Sequence, residues 1–223
     1  MSRSAPVWIY LTITALIAGA AVAEAAETAA GPRSPAALRC EYLENPMGVD
    51  TPAPRFFWVL GHSERGQLQT AYRVQVSTDP SFAAADMWDS GRVDSPESTQ
   101  VVYAGKPLAS GRTYAWRVKS WDKDGLESGW SEPASFDTGL FRREDWTGRW
   151  IRTRGLVRKE FSLPGRPVRA RAYVCGLGYA ELYLNGRKVG AGVLDPAWTT
   201  YDKRALYVTH DVTRYLREGP NAA

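Results

Sequence analysis

The sequence predicts an all-β protein built from two successive β-sandwiches. Short segments in which apolar and polar residues alternate recur from residue 38 onward, about every 8 to 12 residues, between turn signals, as is typical of sandwiches. Aromatic residues, which favour strands, are abundant, with 9 Trp and 11 Tyr among 223 residues. A chain of this length accommodates two domains of about 100 residues each.

Residues 1–23 have the features of a secretory signal peptide. Arg3 precedes a long apolar run, and the run ends in Ala21-Val22-Ala23, which fits the small-x-small pattern of a cleavage site. A membrane-anchoring helix is the alternative, but Gly19 breaks the run, and a span needs about 20 apolar residues. We therefore expect an exported protein, periplasmic or extracellular, with a disordered leader over 24–37 and no stable membrane span.

Charge and cysteine content exclude some functions. The formal net charge of +4 is too small to indicate nucleic-acid binding by itself. Cys40 and Cys175 fall in separate predicted domains, so a disulfide between them is possible but unsupported. We interpret Cys175, which follows a strand-like segment, as a small buried residue.

The first sandwich is predicted to span 38–139 with about seven strands, the number found in immunoglobulin-like domains. In the pattern around 112–121, Tyr114, Trp116 and Val118 alternate with polar residues and are expected to point inward. The main predicted strands are 55–60, 71–77, 87–93, 98–104, 112–121 and 134–139.

Several features of this unit resemble a fibronectin type III domain. Trp58 lies on an early strand, and the run from Leu108 to Tyr114 leads into a late one. In that fold such spacing implies a tyrosine corner, in which the phenol bonds back to the backbone of the preceding turn. Trp130-Ser131, within 128–133, could indicate a receptor module, but we favour a turn that opens the last strand.

A basic connector over 140–155 links the two sandwiches. Its five arginines with interleaved Trp could form a nucleic-acid surface, but a solvated connector is the better interpretation for an exported protein. The second sandwich, over 156–223, is most like a jelly roll. Asn185-Gly186 is a strong hairpin signal because both residues tolerate the positive φ of a type I′ turn. Its predicted strands are 157–163, 168–176, 179–186 and 206–213.

The C-terminal residues suggest that the second sandwich is incomplete. Gly219-Pro220-Asn221 predicts a turn that leads into a further strand beyond this sequence. A sandwich of about 70 residues is expected to have an open edge and a small core. We therefore interpret 156–223 as a domain truncated at its C-terminus.

Three segments together resemble the N-terminal region of bacterial α-L-rhamnosidases of glycoside hydrolase family 78. They are WDSGRV (88–93), DWTGRWI (145–151) and, most specifically, the run 176–213. In this family accessory β-sandwiches precede an (α/α)6 barrel, which inverts the anomeric centre with an acidic general acid and an acidic general base. The barrel is absent from this sequence. The resemblance thus implies the non-catalytic portion of an enzyme that removes terminal α-L-rhamnose, with a rhamnose-containing glycan or glycoside and the missing catalytic domain as partners.

No catalytic residue is assigned in this chain. Inverting hydrolysis needs two carboxyls about 6.5 to 9.5 Å apart across a sugar. Among the nearby acids, Glu181 is predicted to be solvated on a hairpin strand, and Asp195, which precedes a proline, to form a turn. Asp211 is predicted to cap a short helical turn at 214–217.

The resemblance also implies a binding role, because some family members use a jelly-roll domain to bind rhamnose with a calcium ion. Trp198 or Tyr201 would stack on the sugar, and Asp195 and Asp202 with loop carbonyls would bind calcium; no cofactor is otherwise required. Alternatively, the two aromatics pack their loop against the first domain. A free-standing carbohydrate-binding or adhesion module is the alternative function.

Overall fold

The computed structural model describes residues 31–152 and 155–223. The predicted signal peptide and the first half of the predicted leader, 24–30, lie outside the described residues, as does the alternative membrane anchor. In the part of the chain that is described, no helix is both long and apolar enough to cross a membrane.

Residues 31–139 form an immunoglobulin-like sandwich of two antiparallel sheets. One sheet has the order β1-β2-β6, and the other has the order β4-β3-β7-β8, with β5 also pairing with β3. The strands are β1 (Arg33–Cys40), β2 (Arg55–Gly61), β3 (Ala71–Ser77), β4 (Trp88–Asp89), β5 (Val93–Asp94), β6 (Val101–Val102), β7 (Thr113–Trp121) and β8 (Ala134–Asp137). This arrangement confirms the predicted fold class of the first domain.

The core of the first domain is aromatic. Phe56 on β2 packs against Trp116 on β7, with ring centroids 4.4 Å apart, and against Phe136 on β8 at 5.8 Å. All three side chains are fully buried, and each such burial is worth roughly 2 to 3 kcal/mol. Tyr114 and Val118 are buried on the same strand as Trp116, so the predicted alternation on β7 is confirmed.

The predicted tyrosine corner is present. The backbone N–H of Ala109 donates to the Tyr114 hydroxyl at 2.9 Å, and Tyr114 is buried. The bond spans the turn that precedes β7, which is the connection that the spacing from Leu108 to Tyr114 predicts.

The segment around Trp130 braces β7 from outside. The hydroxyls of Ser128 and Ser131 accept hydrogen bonds from backbone N–H groups of β7, at 3.0 and 3.1 Å. The Trp130 ring lies under the guanidinium of Arg117 at 4.4 Å and the ammonium of Lys119 at 5.0 Å, and such cation–π contacts are stabilising. These contacts show that the segment 128–131 stabilises β7 from its outer side.

Two sequence-based boundaries need correction. β1 begins at Arg33, within the predicted leader, and pairs with β2 from Arg33 opposite Gly61 to Cys40 opposite Phe56. The predicted strand 87–93 is two short strands, because Gly91 adopts a φ of +62° and turns the chain between them.

In the described part of the second domain, 155–223, three two-stranded antiparallel sheets surround a small core. The core contains Leu184, Val189, Val212 and Tyr215. The pairs are β9 (Glu160–Leu163) with β14 (Gly219–Ala222), β10 (Arg171–Cys175) with β13 (Tyr207–Asp211), and β11 (Tyr183–Leu184) with β12 (Arg187–Lys188).

The Asn185-Gly186 hairpin forms as predicted, with φ values of +52° and +77°. The predicted turn at 219–221 is wrong, because these residues belong to β14 and pair with β9. The side chain of Asn185 explains the difference. Its amide group donates to Asn221 Oδ1 at 2.8 Å, and its oxygen accepts from Ala222 N at 3.0 Å, so the hairpin holds this segment extended.

Candidate functional site

The residues predicted to bind sugar and calcium lie at one end of the second domain, where two loops meet. One loop, 176–182, joins β10 to β11, and the other, 189–206, joins β12 to β13. The backbone N–H of Ala180 in the first loop donates to the carbonyl oxygen of Asp195 in the second at 2.8 Å. This bond holds the two loops side by side.

The loops present an exposed aromatic pair. The rings of Tyr179 and Trp198 stack with centroids 5.1 Å apart and an interplanar angle of 18°. Trp198 is 67% exposed and Tyr179 is 53% exposed, so the pair offers flat apolar surface to solvent. A ring this exposed does not pack its loop against the first domain, contrary to the alternative interpretation.

Tyr201, the second predicted sugar-binding residue, lies in an exposed turn of the same loop. The turn is closed by hydrogen bonds from the N–H groups of Lys203 and Arg204 to the Thr200 carbonyl, at 2.8 and 2.9 Å. The ring that stacks on Trp198 belongs to Tyr179, which the sequence did not single out. Tyr179 was missed because it lies in a different loop, and the only signal for it is an aromatic residue directly after a glycine turn.

Asp195 and Asp202, the predicted calcium ligands, differ in environment. The Asp195 carboxylate packs against its own loop, since a Cβ on Gly192 would lie 1.9 Å from its Oδ2. It borders a cleft of about 10 Å³, which has room for about one water molecule and not for a sugar. Asp202 is exposed in the turn at 201–203.

Calcium requires about six to eight oxygen ligands. Within residues 31–152 and 155–223, no group of three or more His, Cys, Asp or Glu side chains is arranged to hold a metal ion. A calcium site at Asp195 and Asp202 would therefore take most of its oxygens from carbonyls, hydroxyls and water.

Two further acids of this region have lowered pKa values, whereas a glycosidase general acid needs a raised one. Glu181 accepts hydrogen bonds from Lys188 and from the Tyr183 hydroxyl, and these lower its pKa. Burial alone would raise the pKa of Asp211, but hydrogen bonds from Thr213 and the Arg171 guanidinium outweigh it and lower the pKa. A general acid needs a raised pKa, so neither carboxyl has the electrostatics of the general acid.

Asp211 forms a turn close to the position predicted. Its Oδ1 accepts from the N–H of Thr213 at 2.9 Å, and a 3-10 turn follows at Thr213–Tyr215. The helical turn thus begins one residue earlier than predicted.

A larger cavity, about 220 Å³, lies at one end of the first domain. Two of its lining residues are His62, which follows β2, and Asp122, which follows β7. His62 Nδ1 accepts from the N–H of Glu64 at 2.9 Å, and its Nε2 faces Asp122 Oδ2 at 3.5 Å. Both side chains are buried, and among the described residues neither of these two atoms has a hydrogen-bond partner.

Comparisons with known proteins match both domains. A family model described as the Rha78A-like, N-terminal immunoglobulin domain matches residues 35–142. Another, the alpha-L-rhamnosidase N-terminal domain, matches residues 165–223. An alpha-L-rhamnosidase of Formosa agariphila is 37% identical over 211 residues, which cover 80% of this chain and 22% of that protein.

Solved structures give the same result. The structure of an alpha-L-rhamnosidase from Dictyoglumus thermophilum aligns with a TM-score of 0.80 and 39% identity, covering 85% of this chain and 24% of that chain. A native rhamnosidase from Aspergillus terreus aligns with a TM-score of 0.70 and 30% identity, covering 85% of this chain and 23% of that chain. The chain thus spans less than a quarter of the length of these relatives.

The two domains match, in this order, the N-terminal region of α-L-rhamnosidases. The chain belongs to the α-L-rhamnosidase family, and it corresponds to the N-terminal part of the family's members.

Proposed function

We propose that this chain is the N-terminal, non-catalytic portion of an exported α-L-rhamnosidase that hydrolyses terminal α-L-rhamnosides of glycans or glycosides. In this proposal the catalytic (α/α)6 barrel lies in polypeptide outside these 223 residues. The observation that carries the proposal is the match of both domains, in order, to the first quarter of rhamnosidases. The lowered pKa of Glu181 and of Asp211 argues against either residue as the general acid.

The activity is tested with p-nitrophenyl α-L-rhamnopyranoside. We expect no release of nitrophenol by purified residues 24–223 and rapid release by the native protein purified from its source. Hydrolysis by residues 24–223 alone would contradict the non-catalytic assignment. A native protein that releases no rhamnose would contradict the rhamnosidase assignment.

Export is proposed from the signal-peptide features of residues 1–23. N-terminal sequencing of the protein from the periplasm or culture medium should begin near Glu24. Recovery of the intact N-terminus from the cytoplasm alone would contradict this proposal.

A free-standing carbohydrate-binding or adhesion module is the second candidate, and the exposed Tyr179–Trp198 stack favours it. Sugars that expose C–H-rich faces pack on such rings. Asp195 and Asp202 are the proposed carboxylate ligands if calcium assists binding. A single rhamnose on one aromatic platform is expected to bind weakly, with a Kd on the order of 1 mM.

Calorimetric titration of residues 24–223 with L-rhamnose, with and without calcium, tests this binding. Trp198→Ala should abolish the signal, whereas Trp150→Ala is the matched control because Trp150 is equally exposed, at 68%, on the connector. Asp195→Asn and Asp202→Asn should weaken only the calcium-dependent part. No saturable heat, in either condition, with sugar at about ten times the expected Kd would exclude the binding role.

A further inference from the structure

The sheet formed by β10 and β13 has two different faces. In an antiparallel pair, directly opposed residues lie on the same face, and the faces alternate along each strand. The register pairs Arg171 with Asp211, Tyr173 with Thr209 and Cys175 with Tyr207. These residues define the outer face of the sheet. The intervening residues, which include Ala172, Val174, Val208 and His210, face the small core of the second domain.

The outer face is covered by the first domain through a buried ion pair. Asp137, at the end of β8, accepts a hydrogen bond from Arg171 Nε, and Arg169 Nη2 lies 3.3 Å from the same oxygen. The Asp137 side chain is 5% exposed and that of Arg171 15% exposed. Arg171 also lies 2.8 Å from Asp211 within its own sheet, so the guanidinium bridges the two domains.

Aromatic rings cover the rest of the outer face. Trp146 of the connector meets Tyr207 edge to face, with centroids 5.1 Å apart and an angle of 82°, and meets Tyr173 at 6.5 Å and 70°. The Tyr207 hydroxyl accepts a hydrogen bond from the N–H of Leu140 at 3.2 Å. The connector is therefore part of the contact and not merely a solvated linker.

Glycines of the first domain allow this close approach. A Cβ on Gly48 would lie 2.4 Å from Thr209 Oγ1, and a Cβ on Gly139 would lie 2.1 Å from the Tyr207 hydroxyl oxygen. Real Cβ atoms do not come so close to other atoms, so a side chain at either position would force the facing residue of the sheet to shift.

We infer that the first domain supplies the packing layer for the outer face of the β10–β13 sheet, so that the second domain folds and keeps its orientation only when docked on it. A sheet normally buries its apolar face against another layer. With the first domain in place, every residue of β10 is half-buried, and so is every residue of β13 except Asp211. The first domain takes the place of a second sheet, and this role is independent of the proposed rhamnosidase activity.

Hydrogen–deuterium exchange of the full mature chain tests the inference. The test uses a substitution that introduces a steric clash where the two domains meet. Gly139→Ala introduces the clash with Tyr207. Gly165→Ala is the matched control, because a Cβ there meets nothing within 4 Å. We expect Gly139→Ala to speed amide exchange about tenfold or more in β10, β13, β9 and β14, while β3 and β7 stay protected. The control should leave all these strands unchanged.

Two further variants separate docking from general misfolding. Tyr207→Phe removes the clashing hydroxyl, so Gly139→Ala combined with Tyr207→Phe should regain part of the lost protection. Arg171→Met, a milder change, should speed exchange in the same strands without altering the first domain. Faster exchange confined to residues next to position 139, or equal loss in both domains, would overturn the inference.

Discussion

The ion pair between Asp137 and Arg171 should couple the two domains energetically, and a double-mutant cycle measures the coupling. The cycle combines Asp137→Asn, which keeps the shape of the carboxylate, with Arg171→Met, which keeps most of the length of the arginine. Both charges are largely withdrawn from water, with side-chain exposures of 5% and 15%.

The expected magnitude follows from burial and from the remaining partners. Breaking a buried pair by removal of one partner costs about 3 to 5 kcal/mol. Here Arg171 retains Asp211 at 2.8 Å, so we expect a coupling free energy of about 2 kcal/mol. Arg92 and Asp94 provide the control, since their charged atoms lie 3.0 Å apart at side-chain exposures of 49% and 83%, and a pair so exposed should couple by no more than about 0.5 kcal/mol.

Urea unfolding of the four variants of each cycle, monitored by tryptophan fluorescence and circular dichroism, gives the free energies of unfolding. The expected result is a coupling for Asp137 and Arg171 several times that of the control pair. Equal couplings for the two pairs would refute the argument that the contact between domains is buried and cooperative.

Three other perturbations have defined outcomes. Tyr114→Phe removes the tyrosine-corner hydrogen bond and should lower the free energy of unfolding by about 1 to 2 kcal/mol; no change in the urea midpoint would contradict this role. Hydrogen bonds from Arg73 hold the pKa of Asp89 well below its usual range. The stabilisation is therefore present above pH about 4 and is lost as pH falls toward the folded-state value, so Asp89→Asn should flatten the decline of Tm below that pH, and parallel profiles would count against it. Burial raises the pKa of Cys40 and of the less buried Cys175, so a thiol reagent should modify Cys175 first and Cys40 only on unfolding, whereas simultaneous reaction in the native protein would argue otherwise.

The first domain was largely predictable because its strands obey a local rule. β3 and β7 alternate large apolar with polar residues, and they form where the pattern places them. β1 was missed because Arg33–Cys40 contains Pro and Ala in place of large alternating side chains. Pairing with β2 stabilises this strand although its own residue pattern does not favour one.

The second domain was less predictable because long-range contacts decide its structure. Gly219 and Pro220 favour a turn on local grounds, yet Asn185, which is distant in sequence, holds this segment in a strand. In the candidate site, the sequence leaves open whether Trp198 is exposed or packs its loop against the first domain. Its stacking on Tyr179 depends on two loops meeting, and no spacing along the chain reveals that.

The sequence also does not predict that the β10–β13 sheet packs on the first domain. Gly48 and Gly139 read as ordinary loop glycines, and only the fold shows that each faces a side chain of β13. The alternation in β10 and β13 predicts two faces but does not say what covers each of them.

The central claim, that this chain is the N-terminal part of a larger rhamnosidase, is tested most directly by the mass of the native polypeptide in its source organism. An antibody against residues 38–223, followed by intact mass spectrometry of the captured protein, gives that mass. The account predicts a single polypeptide well above 24.7 kDa that releases rhamnose from a synthetic rhamnoside. A native polypeptide close to 24.7 kDa would contradict the account and leave the exposed loops to be judged as a binding site alone.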